Sequence, residues 1–361
     1  MLQFEPAICI EECQAYVSTQ KTDQLSLRKN EQKFCTRAML MLERFLFERS
    51  ELSSSVYESS ESRLKHQQKK ALSISSFSFH IQAILDNIKE KLVYRDGWFI
   101  QISNKLNNGL MYLTPPKDRF WADPFPIEHE EKLYIFVEEW VYKEPHAHLT
   151  ALELDPSHKV VSQHTVMKTD FHLSYPNVFE HKGRVYMVPE SKNDKKISLY
   201  RCDRFPDKWV LEKVLMDDIF AVDTTLVWHK DKWWMFTNID RKDGEQAIND
   251  ELYIFYSDTL FSSNWKPHAR NPIKSGVIGS RSAGKVFEKN GILMRPAQDG
   301  SKRYGYGILI YKILALSTTE YEEELDQEIY PDEPNGILRT HTYNTLEDLI
   351  VTDRFAFKSK Y

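Results

Sequence analysis

The segment ADPFPIEHEEKLYIFVEE (residues 122–139) contains two apolar runs joined by a charged turn, and similar segments recur along the chain. It aligns without a gap on SYPNVFEHKGRVYMVPES (174–191) and VDTTLVWHKDKWWMFTNI (222–239), and more weakly on SAGKVFEKNGILMRPAQD (282–299). The starts are 52, 48 and 60 residues apart, and another 60 residues lead into HTYNTLEDLIVTD (341–353). Five copies in one register indicate a repeat architecture.

Each copy has the pattern of a β-hairpin followed by outer strands. The outer strands predicted in this way are HLTALEL (148–154), ISLYRC (197–202), ELYIFYS (251–257) and YGILIYKI (306–313). Four strands in roughly fifty residues is the size of a propeller blade, whereas a β-sandwich gives no reason for a fivefold repeat. We therefore predict an all-β fold, a five-bladed β-propeller over about 94–361. The last copy is short, so GWFIQIS (97–103) is expected to complete the fifth blade.

The first ninety residues differ in composition from the rest. All eight tryptophans lie at or after Trp98, and fourteen of the fifteen prolines lie at or after Pro115. We predict a small α-helical extension over 1–50, with its helix at about 30–48, and a short helix over 80–93. Between them, 51–79 is expected to be a serine-rich flexible linker, because it offers too little apolar surface to offset the entropy of ordering.

The overall composition excludes several classes of protein. Lys and Arg number 48 against 53 Asp and Glu, so a net charge of −5 gives no general attraction to nucleic acid or anionic membranes. Four cysteines are too few for a disulfide framework and favour a reducing compartment. There is neither a basic secretion signal nor an apolar run of the ~18–20 residues that a transmembrane helix needs. We expect a cytoplasmic protein without a transmembrane segment, and the sequence assigns no oligomeric state.

The symmetry of each hairpin predicts which side chains face each other. In the first copy the turn centre lies between Glu130 and Glu131, so Asp123 is expected to face Glu138. The corresponding pairs in the next copies are Tyr175 with Glu190, Asp223 with Asn238, and Ala283 with Gln298. The first strand of a propeller blade lines the channel, so these pairs are expected to meet at one rim.

Such a rim collects acids, amides and aromatic rings, which together suit a sugar. Arginines near the rim suit a phosphate or carboxylate on the ligand, and Trp140 could add a flat apolar surface. The expected ligand is therefore a carbohydrate or a sugar phosphate. The residues predicted to bind it are Trp121, Glu138, Tyr175, Asn238, Arg281, Arg295, Gln298, Asp299, Arg303 and Tyr304.

The aspartates of the rim also have a structural interpretation. An Asp at the start of a strand often accepts hydrogen bonds from nearby backbone groups. Such a device should recur in every blade, yet the repeat position reads Asp123, Tyr175, Asp223 and Ala283. The arginines have an alternative as well, which is to pair with the acids of the rim itself.

The repeated segments, with RSAGKVF, RPAQD, SKRYGYG and THTYN, resemble the five-bladed propeller of the glucosamine inositolphosphorylceramide transferase N-terminal family and its bacterial relatives. The resemblance covers about 95–355. That propeller is similar to the arabinanase and β-xylosidase group of glycoside hydrolases, which use an Asp of the first blade as general base. In that group an Asp of the third blade tunes the pKa and a Glu of the fourth blade is the general acid.

This resemblance implies the first two roles for Asp123 and Asp223. The fourth-blade segment SRSAGKVF has no acid at the expected place, so Glu190 or Glu138 would have to replace it. The resemblance also implies a central ion near His341 and adds His341 to the binding residues. No cofactor is predicted, because the sequence has no nucleotide or folate motif and no other set of ligands at metal-binding spacing.

Three functions remain open from the sequence. The leading hypothesis is a carbohydrate-binding propeller that recognises a glycan or an activated sugar in cell-surface polysaccharide or glycolipid biosynthesis. The first alternative is a glycoside hydrolase or transglycosylase that uses Asp123 as general base, with Asp223 and Glu190 as the other catalytic residues. The second alternative is a protein-interaction scaffold.

Overall fold

The computed structural model describes residues 94–106, 109–239 and 250–359, together with the two short strands Ala7–Ile8 and Tyr16–Val17. The helix predicted over 30–48, the linker over 51–79 and the helix predicted over 80–93 lie outside the described residues. Within the described part, no helix is long and apolar enough to cross a membrane.

Two compact units make up the chain. The first unit is Met1–Arg95 with Lys358–Tyr361, and the second is Asp96–Phe357. In the first unit two antiparallel pairs are described, Ala7–Ile8 with Tyr16–Val17 and Tyr94–Arg95 with Lys358–Ser359. The boundaries predicted from the sequence stay predictions.

The second unit consists of five antiparallel sheets, which confirms the five-bladed propeller. Blade one contains Arg119–His129, Lys132–Val141, His148–Leu154 and Val160–Met167. Blade two contains Ser174–His181, Arg184–Glu190, Lys196–Arg204 and Lys208–Asp217, with a 3₁₀ turn at Lys192–Asp194. Blade three contains Ala221–His229, Lys232–Ile239 and Glu251–Ser257, with the short strands Lys266–Pro267 and Lys274–Ser275 at its outer side.

The fourth and fifth blades depart from this simple order. Blade four divides its first strand into Ile278–Ser282 and Phe287–Lys289, and continues with Ile292–Asp299, Gly307–Leu316 and Tyr321–Ile329. A 3₁₀ turn at Glu333–Asn335 follows. Blade five contains Tyr343–Leu346, Leu349–Phe355, Trp98–Asn104 and Leu110–Leu113. Because Trp98–Asn104 pairs with Leu349–Phe355, the prediction that GWFIQIS completes the last blade is confirmed.

Apolar side chains from neighbouring blades form a cluster at every junction of the ring. Each blade is covered on both faces, so its inner strands are apolar on both sides, as in the fully buried run Ile135–Val137. Each large apolar side chain buried in this way contributes about 1.5–3 kcal/mol. The junction between blades five and one has such a cluster too, with Val351 and Ile100 from one side and Ile135 from the other.

The first strands of blades one to three each contain a β-bulge. Asp123, Tyr175 and Asp223 occupy it, with φ angles of 49°, 46° and 51°. The extra residue shifts the register, so that Ala122 and not Asp123 pairs with Glu138. In blades one to three the facing pairs expected from hairpin symmetry are wrong by one position for this reason, and in blade four, whose first strand is divided, they are wrong by two. The pairs formed in the next three blades are Ser174 with Glu190, Val222 with Asn238 and Ser282 with Ala297.

Candidate functional site

Polar side chains from all five blades meet at one rim of the propeller, and two of them, Asp123 and Asp223, lie in the bulges. We call this set the mouth. Hydrogen bonds, ion pairs, ring contacts or direct charge interactions connect its members, which are Asp123, Glu138, Glu190, Asp223, Arg281, Gln298, Tyr304, His341 and Asp353. All of them except Asp353 were expected at the site from the sequence.

Asp123 is held by groups from two other blades. Its Oδ1 accepts the hydroxyl of Thr342 at 2.6 Å, and its Oδ2 accepts the backbone N–H of Tyr175 at 3.1 Å. Its own backbone N–H donates to Asp353 Oδ2 at 3.3 Å. Burial raises the pKa of Asp123 to about 6, although the charge of His341 acts against the rise. Asp123 therefore links blades five, one and two, and it stays protonated to higher pH than an ordinary aspartate.

His341 and Asp353 form a buried ion pair beside Asp123. The ring Nδ1 lies 2.5 Å from Asp353 Oδ2. Asp353 Oδ1 accepts the backbone N–H groups of His341 and Thr342 at 2.8 and 3.1 Å. Burial alone would lower the pKa of His341, but the carboxylates of Asp353, Asp123 and Asp223 together raise it. The ring also stacks on Trp98, with 4.2 Å between the ring centres, so its orientation is fixed.

One group of described residues has metal-ligating atoms close together, Asp123, His341 and Asp353, whose atoms lie within 4.8 Å of one another. Both carboxylates already accept hydrogen bonds on each oxygen, and His341 Nδ1 is directed at Asp353. A hard cation such as Ca²⁺ takes about 6–8 oxygen ligands, more than these two carboxylates offer. The residues therefore fit a hydrogen-bonded network better than an ion cage, and the ion near His341 stays a prediction.

Asp223 of blade three is paired with a cation from blade four. Arg281 Nε lies 2.5 Å from Asp223 Oδ2, and the amide of Gln298 donates to the same oxygen at 3.4 Å. The backbone N–H of Asp223 donates to Glu190 Oε2 at 3.2 Å. Burial acts against it, but the charge of Asp223 raises the pKa of Arg281, so the pair is ionised. The guanidinium also lies 5.3 Å from the centre of the Tyr304 ring.

Glu138 and Glu190 are carboxyls of the mouth with no lysine or arginine partner among the described residues. Among the described residues, no Lys or Arg nitrogen lies within 4 Å of either carboxyl. Burial, followed by the nearby carboxylates of Asp123 and Asp223 respectively, raises the pKa of both well above 4.5. Glu138 and Glu190 therefore stay protonated to higher pH than ordinary glutamates, and can donate as well as accept hydrogen bonds.

Tyr175, expected to bind ligand, has a buried hydroxyl that bonds to groups of two other blades. Its hydroxyl accepts the N–H of Gly284 at 2.7 Å and lies 3.0 Å from both the Gly284 carbonyl and Thr225 Oγ1. Gly284 has a φ of +135°, and a Cβ there would lie 2.0 Å from the carbonyl oxygen of Tyr343, so only glycine fits. The Tyr175 side chain therefore joins blades two, three and four inside the ring.

Three other residues expected at the site use their polar atoms within the fold. Asn238 is fully buried and bonds only to backbone groups in its described contacts. Arg295 is 1% exposed and pairs with Glu323 at 2.7 Å. Trp121 is buried and donates to Glu139 at 2.7 Å. These contacts hold neighbouring strands together, and none of them involves a member of the mouth.

Asp299 and Arg303 lie beside the mouth, in and after the second strand of blade four. Asp299 accepts the hydroxyl of Tyr330 at 3.3 Å. Arg303 donates to the carbonyl of Leu338 at 2.8 Å and pairs with Glu333. Both side chains therefore fasten the loops that lead from blade four to blade five.

Asp353 and Thr342, both in blade five, were not predicted as site residues. The hairpin of this blade has no bulge, and Tyr343 pairs with Thr352. Hairpin symmetry applied to HTYNTLEDLIVTD therefore places Asp353 across from Thr342. The sequence does contain the signal for this part of the mouth.

His172 was not predicted either. It lies between the outer strand of blade one and the first strand of blade two, and its Nε2 is 3.3 Å from Glu138 Oε1. Three residues before the bulge, blades one to three have Phe120, His172 and Phe220. A titratable ring where the neighbouring blades have phenylalanine is the signal that could have revealed it.

The fold and the mouth define a five-bladed β-propeller with buried carboxyls gathered at one end of its axis. The family model described as "Glucosamine inositolphosphorylceramide transferase 1, N-terminal" matches residues 113–336. The chain belongs to this family, which the sequence motifs had indicated.

Relatives in plants and structures from microbes resemble this chain. It is 35% identical over 207 residues to glucosamine inositolphosphorylceramide transferase 1 of Oryza sativa subsp. japonica, and 36% identical over 210 residues to that of Arabidopsis thaliana. Each alignment covers 56% of this chain and 27% of the relative, so the chain spans about a quarter of the length of these curated relatives.

Two solved structures of glycoside hydrolases also match. A family 117 glycoside hydrolase of Zobellia galactanivorans has a TM-score of 0.44 at 13% identity, over 73% of this chain and 90% of that one. The GH43B protein of a Bacteroides ovatus xyloglucan PUL has a TM-score of 0.48 at 11% identity, over 70% and 56% of the two chains.

Proposed function

We propose that the mouth binds a sugar-containing ligand and that the chain works in glycolipid or cell-surface polysaccharide assembly. The proposal depends on one observation, which is that groups of different chemistry share one rim. Two carboxyls that hold protons, Glu138 and Glu190, lie there with an ion pair and an aromatic ring, formed by Asp223, Arg281 and Tyr304. Sugar hydroxyls both donate and accept, so they are matched by groups that do both. The family name, which refers to a glucosamine inositolphosphorylceramide transferase, supports a sugar ligand.

Arg281 extends the ligand class to sugar phosphates. Its Nε contacts Asp223, and its side chain is still 19% exposed. The terminal N–H groups of a guanidinium form paired hydrogen bonds with phosphate or carboxylate oxygens. A glycosyl phosphate or a nucleotide sugar would therefore place its anionic group beside Arg281.

The test is binding of a sugar panel to the purified chain, by thermal shift and titration calorimetry. The panel contains glucose, glucosamine, N-acetylglucosamine, their oligosaccharides and the uridine-diphosphate sugars. A true ligand at 100 times its Kd stabilises the fold by about 2.7 kcal/mol. Glu190→Gln and Arg281→Met should each weaken binding roughly tenfold, as expected for a lost hydrogen bond to a charged or buried group.

The matched control is Glu180→Gln, which changes an exposed glutamate at the opposite end of blade two. This variant should bind like the wild type. If no member of the panel changes the melting temperature or gives heat on titration, the proposed function is wrong.

A second candidate is glycoside hydrolysis or transglycosylation. Two observations favour it. The raised pKa of Glu190 suits a general acid, and the pKa of about 6 of Asp123 suits a general base. Hydrogen bonds already occupy both oxygens of Asp123, which weighs against it. Turnover of aryl glycosides that is abolished by Asp123→Asn and by Glu190→Gln would support this candidate. Absence of turnover by the wild type would remove it.

A further inference from the structure

The connection between blades one and two, residues 168–173, carries His172 to the mouth. Phe171 and Leu173, on either side of it, pack into the apolar cluster between the two blades. The backbone N–H of Leu173 also donates to the carbonyl of Ala147 at 3.2 Å. These anchors fix the backbone of His172, so the fold sets the position of its ring.

The His172 ring covers the carboxyl of Glu138. Its Nε2 lies 3.3 Å from Glu138 Oε1, and its ring centre is 5.5 Å from that of Trp140. Glu138 is 8% exposed, whereas the His172 side chain is 31% exposed. The imidazole therefore stands between a buried carboxyl and the solvent, where a ligand would arrive.

Packing alone does not require a histidine here. Phe120 occupies the same repeat position in blade one and also packs against Trp140, with 5.9 Å between the ring centres. Phe220 occupies this position in blade three. An apolar ring serves this place in two blades, so the imidazole of His172 adds a polar contact that the fold itself does not need.

Burial and the surrounding charges bring the pKa values of Glu138 and His172 closer together. Burial, and then the carboxylates around it, raises the pKa of Glu138 well above 4.5. Burial, and then His146, lowers the pKa of His172. The largest charge effects on Glu138 come from acids: Asp123, Glu190, Asp353 and Asp223. Because no permanent cation fixes the charge of Glu138, its proton can lie on either partner.

We propose that His172 is a ligand-binding residue of the mouth. Its ring shares one proton with the Glu138 carboxyl, and the pair presents this proton to a hydroxyl group of the ligand. The proton moves between Glu138 Oε1 and His172 Nε2. The neutral pair and the carboxylate–imidazolium pair therefore contain the same atoms and have the same net charge. The ligand-binding part rests on the proposed function, whereas the shared proton does not.

The shared proton is tested without any ligand, by following the ring ¹⁵N shifts of His172 against pH. The His172→Phe variant identifies the signal by its loss. In Glu138→Gln the amide can neither take up the proton nor carry a charge, so the His172 midpoint should fall by roughly half a pH unit or more. An unchanged midpoint would overturn the shared proton.

The ligand-binding part is tested with the panel sugar that binds the wild type most tightly. His172→Phe should fold, since phenylalanine occupies this position in two other blades, but should bind roughly tenfold more weakly. His172→Gln keeps a donor but cannot exchange a proton, so the variation of affinity with pH should be smaller than in the wild type in the range where His172 titrates. His129→Phe, at the opposite end of blade one, is the matched control.

The possible failures are distinguishable. If the wild type binds a sugar and His172→Phe binds it equally well, the inference about His172 is wrong and the proposed function stands. If the wild type binds no sugar, the proposed function and the ligand-binding role of His172 fall together. The nitrogen shifts then still decide whether Glu138 and His172 share a proton.

Discussion

The carboxyls of the mouth divide into charged and protonatable groups according to their immediate partners. Asp223 has a guanidinium nitrogen and Asp353 an imidazole nitrogen at 2.5 Å. Among the residues that the structure describes, Glu138 and Glu190 have no lysine or arginine nitrogen this close, and His172 Nε2 lies 3.3 Å from Glu138. Burial, and then nearby carboxylates, raises the pKa of both. Pairing stabilises a buried charge, and burial without pairing favours the neutral form. One rim therefore offers fixed acceptors next to groups that can donate.

Glu190→Gln should stabilise the chain at pH 8 and lose most of that gain at pH 4. The raised pKa of Glu190 means that the folded state holds this proton more tightly than the unfolded state. Wild-type stability therefore falls as pH rises from the ordinary pKa of 4.5 through the raised one, and the variant lacks this loss. We expect a gain of about 0.5–2 kcal/mol at pH 8, as is typical when a functional group is removed from a site.

Urea unfolding at pH 8 and pH 4 measures this effect. Glu322→Gln changes an exposed glutamate on the outer strand of blade four and serves as the control. A Glu190→Gln variant that is no more stable than the wild type at pH 8 would contradict the assignment of Glu190 as a carboxyl whose pKa the fold raises.

Among the strands, the bulged first strand decides how the mouth is built. The bulge holds Asp123, Tyr175 and Asp223 in the left-handed region, which costs a residue with a side chain about 1 kcal/mol or more. The bulge also redirects a side chain that would otherwise pack between two blades. The same position then provides an ion pair in blade three and a buried hydroxyl in blade two.

Asn238→Ala should lower the free energy of unfolding by about 2–4 kcal/mol and leave ligand affinity within roughly twofold. The amide of Asn238 donates to the carbonyls of Glu251 and Ser280, and its oxygen accepts the N–H of Ser282. Alanine would leave these buried backbone groups unpaired between blades three and four. Chemical denaturation and calorimetry measure the two effects. Weaker binding with unchanged stability would instead indicate that Asn238 contacts the ligand.

For the whole propeller unit, the mouth exists because the ring closes. Blade five takes its inner two strands from one end of the unit and its outer two from the other. Closure buries the clusters at the junctions of blade five with blades four and one, and pairs both edges of Leu349–Phe355. Thr342 can then reach Asp123, which lies far away along the chain.

Removal of residues 341–361 should abolish cooperative unfolding. The truncation takes away the inner strands of blade five, including Val351 and Phe355, which are both fully buried. Near-ultraviolet circular dichroism and size-exclusion chromatography should show lost packing and self-association. A synthetic peptide of residues 341–359 should restore the signal, and the same peptide with Val351→Asp should not. An unchanged melting temperature of the truncated chain would contradict ring closure as the source of stability.

Much of this molecule follows from its sequence alone. The number of blades and their hairpins follow from the repeat because apolar patterning and turn residues act locally along the chain. The same repeat frame places Asp123, Asp223 and Glu190 at one rim, because equivalent positions of a ring share one end. The incomplete last copy determines that GWFIQIS closes the ring, since an open inner strand would expose unpaired backbone groups.

Only the tertiary structure decided where each of these side chains points. Hairpin symmetry takes no account of a β-bulge, which shifts the pairing of the strands by one residue. Ala122 therefore pairs with Glu138, and the amide of Asn238 forms hydrogen bonds with backbone groups. The contact of His172 with Glu138 and that of Thr342 with Asp123 join different blades. Local pattern cannot specify such contacts, because they depend on how the blades pack against one another around the axis.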